Sequence, residues 1–249
     1  MNIAIITGAS SGMGREFALQ LAKCLSKTDE IWLLARRKES LEEVEALLSE
    51  KQKKIPKVRV IPIDIADEKQ LENFAEVLMI QNARISVLVN CAGIGTYGAF
   101  EKQSRDEVAE TVRLNVFGLT QLTKFCLPYM RKGSKILQVA SGSAFLPQPE
   151  FAVYAASKAY VYSFGRALYK ELKKEGITVT VICPGPVDTP FLAHAYGRYG
   201  QMNFLKKLTM AKPEKVVHKA LIDSKRKKEI SVYGLPMNVL YRLTRGMVR

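Results

Sequence analysis

The chain reads as a doubly wound α/β fold, a parallel sheet of about seven strands with helices on both faces. Two observations predict it. Short, nearly continuous apolar runs recur along the chain, and stretches of helical periodicity separate them. Strands covered by helices on both sides lose the polar alternation of half-exposed strands, so such runs mark a buried parallel sheet. The second observation is a glycine-rich turn between the first apolar run and the first helical stretch, where backbone closely approaches a phosphate in folds of this class. No Pro/Gly-rich linker, internal repeat or low-complexity tract divides the 249 residues. One domain, 1–249, is therefore expected, and it is long enough to bury a sizeable core.

The elements follow in order. Strand one is expected at 3–7 (Ile3-Ala4-Ile5-Ile6-Thr7), with a helix at 13–27. Between them, Gly8, Ser10, Ser11, Gly12, Met13 and Gly14 form a candidate phosphate cradle at a helix N-terminus. Strand two, 31–35, ends at Ala35, and Arg36 and Arg37 come next, before a helix at 41–53. An acid at that strand end would accept from a ribose 2′-hydroxyl and repel a 2′-phosphate. Guanidiniums instead make paired, charge-assisted bonds to phosphate oxygens, with Arg36 the main candidate and Arg37 secondary. Strand three at 58–63 and strand four at 87–90 flank a helix at 68–80. One long helix is expected over 105–130, then strand five at 136–140, a helix at 151–175 and strand six at 178–183. After Pro184 the pattern loosens into an aromatic-rich segment, 191–210, a helix from about 213, a short strand near 230–233 and a final cationic helix.

The chemistry centres on Tyr154-Ala155-Ala156-Ser157-Lys158. In a helix this spacing stacks the phenol and the ammonium on one face. A phenol titrates near ~10, and a fixed ammonium beside it favours the phenolate, making proton exchange with a substrate oxygen feasible. Ser141 follows strand five, and no His with an acid partners it, which argues against a serine hydrolase.

Composition excludes other classes. Met1-Asn2 leads directly into an apolar run, with no basic leader or cleavage site, and no stretch approaches the ~20 apolar residues of a span, so a cytoplasmic location is expected. Cys24, Cys91, Cys126 and Cys183 are scattered without metal-ligand spacing, and His194 and His218 stand apart, so no metal site is expected. Net charge is +14, and residues 203–249 hold 12 Lys/Arg against 3 Asp/Glu. Lys225-Arg226-Lys227-Lys228 and the last fifteen residues, where Leu240, Leu243, Met247 and Val248 mix with Arg242, Arg245 and Arg249, allow two readings. The favoured one is a solvated basic turn followed by a helix packed on the body or a neighbouring subunit. The other is a membrane-surface or acidic-partner site. Nucleic acid is not expected as a partner.

Over about residues 2–190 the chain resembles the classical short-chain dehydrogenase/reductase family. The resemblance rests on Thr7-Gly8-Ala9-Ser10-Ser11-Gly12-Met13-Gly14, Asp64 after strand three, Asn90-Cys91-Ala92-Gly93 after strand four and Asn115 in the crossover helix. It continues with Ser141 thirteen residues before Tyr154, Tyr154 with Lys158, and Pro184-Gly185-Pro186-Val187-Asp188-Thr189. Cys91 stands where the family has a second Asn. The resemblance implies a Rossmann-like fold and an oxidoreductase that moves a hydride between a nicotinamide cofactor and a carbonyl or secondary alcohol. It implies four catalytic residues. Ser141 holds the carbonyl oxygen, Tyr154 donates the proton, Lys158 lowers the Tyr154 pKa and binds the ribose, and Asn115 holds a water reaching Lys158. It assigns Asp64 and Ile65 to the adenine, Asn90, Ala92 and Gly93 to the cofactor crevice, and Pro184, Gly185, Val187 and Thr189 to the nicotinamide. A small residue followed by Arg36 resembles the NADP-preferring members, so NADP(H) is the expected cofactor.

Residues 190–212 are expected to form a lid over an apolar pocket, with Phe191, Tyr196, Tyr199, Phe204, Leu205 and Leu208 as its apolar part and Gly197 and Gly200 as flexible points. His194 reads as a wall residue. Ser143, Phe145, Phe151 and Phe191 are the substrate-facing candidates, and with Leu146 nearby they point to an apolar ketone, aldehyde or 3-oxoacyl compound. The resemblance also implies a homodimer or homotetramer built on the long helices. A non-catalytic NADP(H)-binding sensor or scaffold is the alternative function.

Overall fold

The computed structural model describes residues 2–26, 29–51, 56–82, 84–197 and 209–244. Its seven strands are all parallel: β1 (Asn2–Thr7), β2 (Glu30–Ala35), β3 (Lys57–Pro62), β4 (Arg84–Asn90), β5 (Met130–Val139), β6 (Thr178–Ile182) and β7 (Ile230–Ser231). They lie in the order β3-β2-β1-β4-β5-β6-β7. The winding direction reverses between β1 and β4, which opens a crevice beyond the carboxyl ends of the strands.

The period-two side-chain alternation divides the core between the two faces. Ile3 and Ile5 of β1 pack with Trp32, Leu34, Phe74 and Leu122 on one side; Ala4 and Ile6 pack with Ile31, Leu33, Phe17 and Leu41 on the other. The first side is covered by α3 (Glu68–Gln81) and the crossover to β5; the second by α1 (Gly12–Ala22) and α2 (Lys38–Lys51). Because both faces are apolar, the strands carry the near-continuous runs visible in the sequence.

The crossover between β4 and β5 departs from the single helix expected over 105–130. It is α4 (Arg105–Val112), a widened π-helical turn at Arg113–Gly118, α5 (Leu119–Cys126) and a 3-10 turn at Leu127–Tyr129. A reciprocal Ser104–Glu107 capping box starts α4. The wide turn lies hard against the loop after β3: a Cβ on Gly118 would lie 2.3 Å from the Ile65 carbonyl oxygen. Pro128, lacking an N–H, sits where α5 gives way. Strand β5 begins at Met130, earlier than the apolar run, because Arg131, Lys132 and Gly133 are exposed and a register shift follows. Strand β3 ends at Pro62, so Asp64 lies in the loop beyond it.

The catalytic-candidate helix is α6 (Ala152–Glu171); α7 (Pro190–Tyr196) opens the expected lid, α8 is Pro213–Lys225 and α9 is Leu235–Thr244. The lid residues Tyr199, Gly200, Phe204, Leu205 and Leu208 lie outside the described residues, as do Arg245, Met247, Val248 and Arg249. Helix α9 packs inward through Met237, Leu240 and Tyr241 against a cluster containing Phe145, Tyr162 and Val232. In the basic turn before β7, Lys228 reaches the buried Asp223 at 3.0 Å, and Asp223 also accepts from Ser231 at 2.9 Å, so this turn ties α8 to the sheet edge. Among the described residues no helix is long and apolar enough to cross a membrane.

Candidate active site

A continuous cavity of about 700 Å³ follows the carboxyl ends of β1, β2, β4, β5 and β6. At one end lies the glycine turn. Gly8 and Gly12 adopt φ of +64° and +52°, and a Cβ on Gly14 would stand 2.0 Å from the Gly8 carbonyl oxygen, so all three positions require glycine. Ser11 precedes α1 without capping it through its side chain, leaving the first amides of α1 for an external acceptor. Thr7 fixes the adjacent switch point: its Oγ1 accepts from the amides of Cys91 and Ala92, both at 3.0 Å. A turn with glycine at three positions, a helix N-terminus without a side-chain cap and a long crevice fit a dinucleotide.

Beyond β2, Arg36 and Arg37 line the same end of the cavity with Asp64 and Ile65. The Arg36 guanidinium donates to Glu110 of α4 at 3.0 Å and lies 3.9 Å from the Asp64 carboxylate. Asp64 also accepts from the Ala66 amide at 2.9 Å.

At the other end, α6 carries Tyr154 and Lys158 one turn apart, both buried. The Lys158 ammonium donates to the Val139 carbonyl at 2.9 Å and lies 5.8 Å from the centre of the Tyr154 ring. Ser141 faces the Tyr154 phenol, whose pKa it acts to lower, and its Oγ accepts from the Ser143 amide at 3.1 Å. Phe151 stacks on the Tyr154 ring at 4.3 Å between centres, and Phe191 lies at 5.3 Å. Beneath the ring is Gly95, where a Cβ would come within 2.4 Å of Tyr154.

Burial dominates the electrostatics of the pair. It pushes the Tyr154 phenol up to about 12, against the opposing effect of Ser141, and brings Lys158 down to about 8. Burial is thus the leading influence on both groups, ahead of any effect of Lys158 on Tyr154.

Asn115, in the wide turn, is fully buried and does not line the cavity. It accepts from the Ile94 amide at 2.9 Å and donates to the Ile94 carbonyl at 2.7 Å and the Ser157 hydroxyl at 2.9 Å. It therefore clamps the loop after β4 onto α6. The Lys158 ammonium and Asn115 Oδ1 both flank Gly93, where a Cβ would meet them at 3.0 and 3.1 Å.

Ala92, Gly93, Pro184, Gly185, Val187 and Thr189 all line the cavity, as do Ser10, Met13, Ser143, Phe151 and Phe191. Besides Asn115, two expected site residues do not. The Asn90 side chain is turned into the protein, donating to Thr123 at 2.8 Å and Gln138 at 3.1 Å, because β4 directs alternate side chains away from the crevice. Phe145 is core, packed edge-to-face on Tyr162 and against Tyr241 of α9. The residues that sequence reasoning passed over are Gly95, Gln148, Thr209, and Met237 and Leu240 of α9. Met237 packs against Gly142 and Gly185, two glycines whose missing side chains admit it. Among the described residues no cluster of His, Cys, Asp and Glu is able to hold a metal ion.

The short chain dehydrogenase family matches residues 2–198, and the chain belongs to that family of oxidoreductases. It is 32% identical over 222 residues to the Arabidopsis thaliana protein "11-beta-hydroxysteroid dehydrogenase-like 3", covering 88% of this chain and 70% of the relative. It is 32% identical over 191 residues to the Bacteroides thetaiotaomicron "3-ketodihydrosphingosine reductase", covering 76% and 65%. The chain thus spans about two thirds of the length of these relatives. Among solved structures, a Sphingobium yanoikuyae short-chain dehydrogenase in complex with NADPH superposes with a TM-score of 0.82 at 24% identity, covering 99% of this chain and 95% of that one. A short-chain dehydrogenase/reductase from Burkholderia phymatum in complex with NAD gives 0.83 at 20%, covering 99% and 94%. The bulky-bulky ketone specific alcohol dehydrogenase of Comamonas testosteroni gives 0.78 at 25%, covering 99% and 93%.

Proposed function

We propose that the protein is an NADP(H)-dependent reductase of apolar ketones, aldehydes or 3-oxoacyl-type compounds, acting as a single-domain enzyme. The observation that carries the reading is the convergence of Ser141, Tyr154 and Lys158 at the apolar end of a cavity whose other end holds the glycine turn and Arg36. The backbone of Gly8–Gly14 and the N-terminus of α1 would hold a pyrophosphate, Arg36 and Arg37 a 2′-phosphate, and Asp64 and Ile65 the adenine. Ala92, Gly93, Pro184, Gly185, Val187 and Thr189 would border the nicotinamide. When bound, the nicotinamide supplies the hydride.

The protein's own part is proton and charge management. Tyr154, held neutral by burial, donates its proton to the substrate oxygen as negative charge develops there. Ser141 steadies that oxygen by hydrogen bonding, and the Lys158 ammonium favours the phenolate left behind. Asn115 positions the loop carrying Ala92 and Gly93. Around Tyr154 the described lining is uncharged apart from Lys158: Phe151, Phe191, Leu192, Tyr196, Met237 and Leu240 are apolar or aromatic. This supports an apolar substrate, as do relatives named for a steroid and a sphingoid ketone. Exposed Phe100, Val112 and Tyr160, on or beside α4 and α6, support a homo-oligomer; a monomer by light scattering would refute it.

The test is NADPH oxidation with a panel of ketones, aldehydes and 3-oxoacyl thioesters, using the unmutated protein and Tyr154→Phe. Turnover should fall about 10²–10⁴-fold in the variant, the share of a positioned general acid, with cofactor affinity nearly unchanged. Tight cofactor binding with no turnover on any carbonyl would favour the sensor instead.

A further inference from the structure

Helix α9 is apolar on two sides. Its inner side, Met237 and Leu240, walls the cavity. Its outer side presents Leu235, Val239 and Leu243, 79%, 48% and 68% exposed. These recur every four residues and so form one stripe along the helix. Arg242 is exposed beside the stripe. From Ile230 to Arg249 the chain has no acidic residue, while Arg242, Arg245 and Arg249 supply cations.

We propose that the outer face of α9 docks on an anionic lipid bilayer, setting the α9 wall of the cavity against a source of apolar substrate. Charge decides between this occupant and a second copy of the chain. A two-fold contact would place the same patch on itself and bring like cations together. An anionic bilayer meets the stripe with acyl chains and Arg242 with headgroups. The overall charge of +14 attracts the whole molecule to such a surface. The turn Lys225–Lys228 precedes β7, at the opposite end of the sheet from the cavity, and is not part of this face. The substrate-source part rests on the apolar-carbonyl reading; docking itself does not.

The experiment is co-sedimentation of the full chain with vesicles of phosphatidylcholine alone and with roughly 30% phosphatidylglycerol, at low and high salt. Binding is expected on the anionic vesicles and should weaken with salt. The variant L235S/V239S/L243S should bind at least about tenfold less, since apolar burial contributes the main attraction. Its turnover of a water-soluble ketone should stay at the unmutated rate, and its turnover of a long-chain ketone carried in vesicles should fall. No pelleting of the unmutated protein at low salt overturns the proposal, as does equal pelleting of the variant. Loss of an oligomer in the variant without any vesicle binding assigns the stripe to a subunit contact and overturns it too. Vesicle binding with no turnover of either ketone sinks the catalytic reading and leaves the docking surface standing.

Discussion

Replacing Arg36 by alanine separates the two nicotinamide cofactors. A guanidinium bonded to phosphate contributes about 1.5–3 kcal/mol, the scale of a hydrogen bond to a charged group. That guanidinium is not idle: it donates to Glu110 at 3.0 Å, with 58% and 49% of the two side chains exposed. Such a surface pair is worth about 0.2–1 kcal/mol and is given up when a phosphate arrives. The net loss expected for NADPH in Arg36→Ala is therefore about 1–2 kcal/mol, or roughly 5–30-fold in Kd. Glu110 and Asp64 remain near the vacated position in the variant and repel a 2′-phosphate, which pushes the loss toward the upper end. NADH has no 2′-phosphate and should bind the variant as it binds the unmutated protein. Calorimetric titration with each cofactor is the assay. Equal losses for both cofactors, or equal affinities in the unmutated protein, would refute the reasoning.

Lys158→Met should abolish turnover yet raise stability at pH 7 by on the order of 2 kcal/mol, since a buried ammonium with a pKa of about 8 is costly. The unfolded chain keeps the Lys158 proton up to about 10.5, so unmutated stability climbs between pH 8 and 10.5 and the variant's advantage should shrink over that window in urea titrations. Gly95→Ala should cut turnover with little change in cofactor affinity, because the new Cβ meets the Tyr154 ring at 2.4 Å; unchanged kcat would show that the ring shifts freely. Thr7→Val should cost on the order of 2–4 kcal/mol by urea melts, since the amides of Cys91 and Ala92 lose their shared acceptor.

The doubly wound sheet was legible because strands covered on both faces have little choice of residue, and Ile3–Ile6 or Ile31–Leu34 show it plainly. The glycine turn was legible for the same reason: Gly14, against the Gly8 carbonyl, admits no side chain. What stayed hidden depends on distances between segments far apart in sequence. The widened turn around Asn115 answers to Ile65 and Ile94, neither of them a sequence neighbour. The inward turn of Asn90 is fixed by Thr123 and Gln138. Met237 enters the cavity because Gly142 and Gly185 leave room for it, and no local pattern announces a pairing of that span. Phe145, expected to face the substrate, is carried to the core by the short helical turn at Gly142–Ala144, where it packs on Tyr162 and Tyr241.

The bridge between Val187 and Ala211 bears on how such an enzyme changes its diet. Asp188 donates its amide to the Ala211 carbonyl at 2.9 Å, and Ala211 donates to the Pro186 carbonyl at 2.9 Å. The chain thus leaves this point at Asp188 and returns to it at Ala211, so the two ends of the intervening segment, which includes α7, are stitched together at its root. The entropy of closing such a loop grows only with the logarithm of its length, about 0.6 kcal/mol per doubling. Changes of length in that segment therefore cost little at the neighbouring Pro184 and Gly185, provided Thr189 and Phe191, which line the cavity, are kept. With those two residues held, this root is the natural splice point for grafting specificity from one relative onto another.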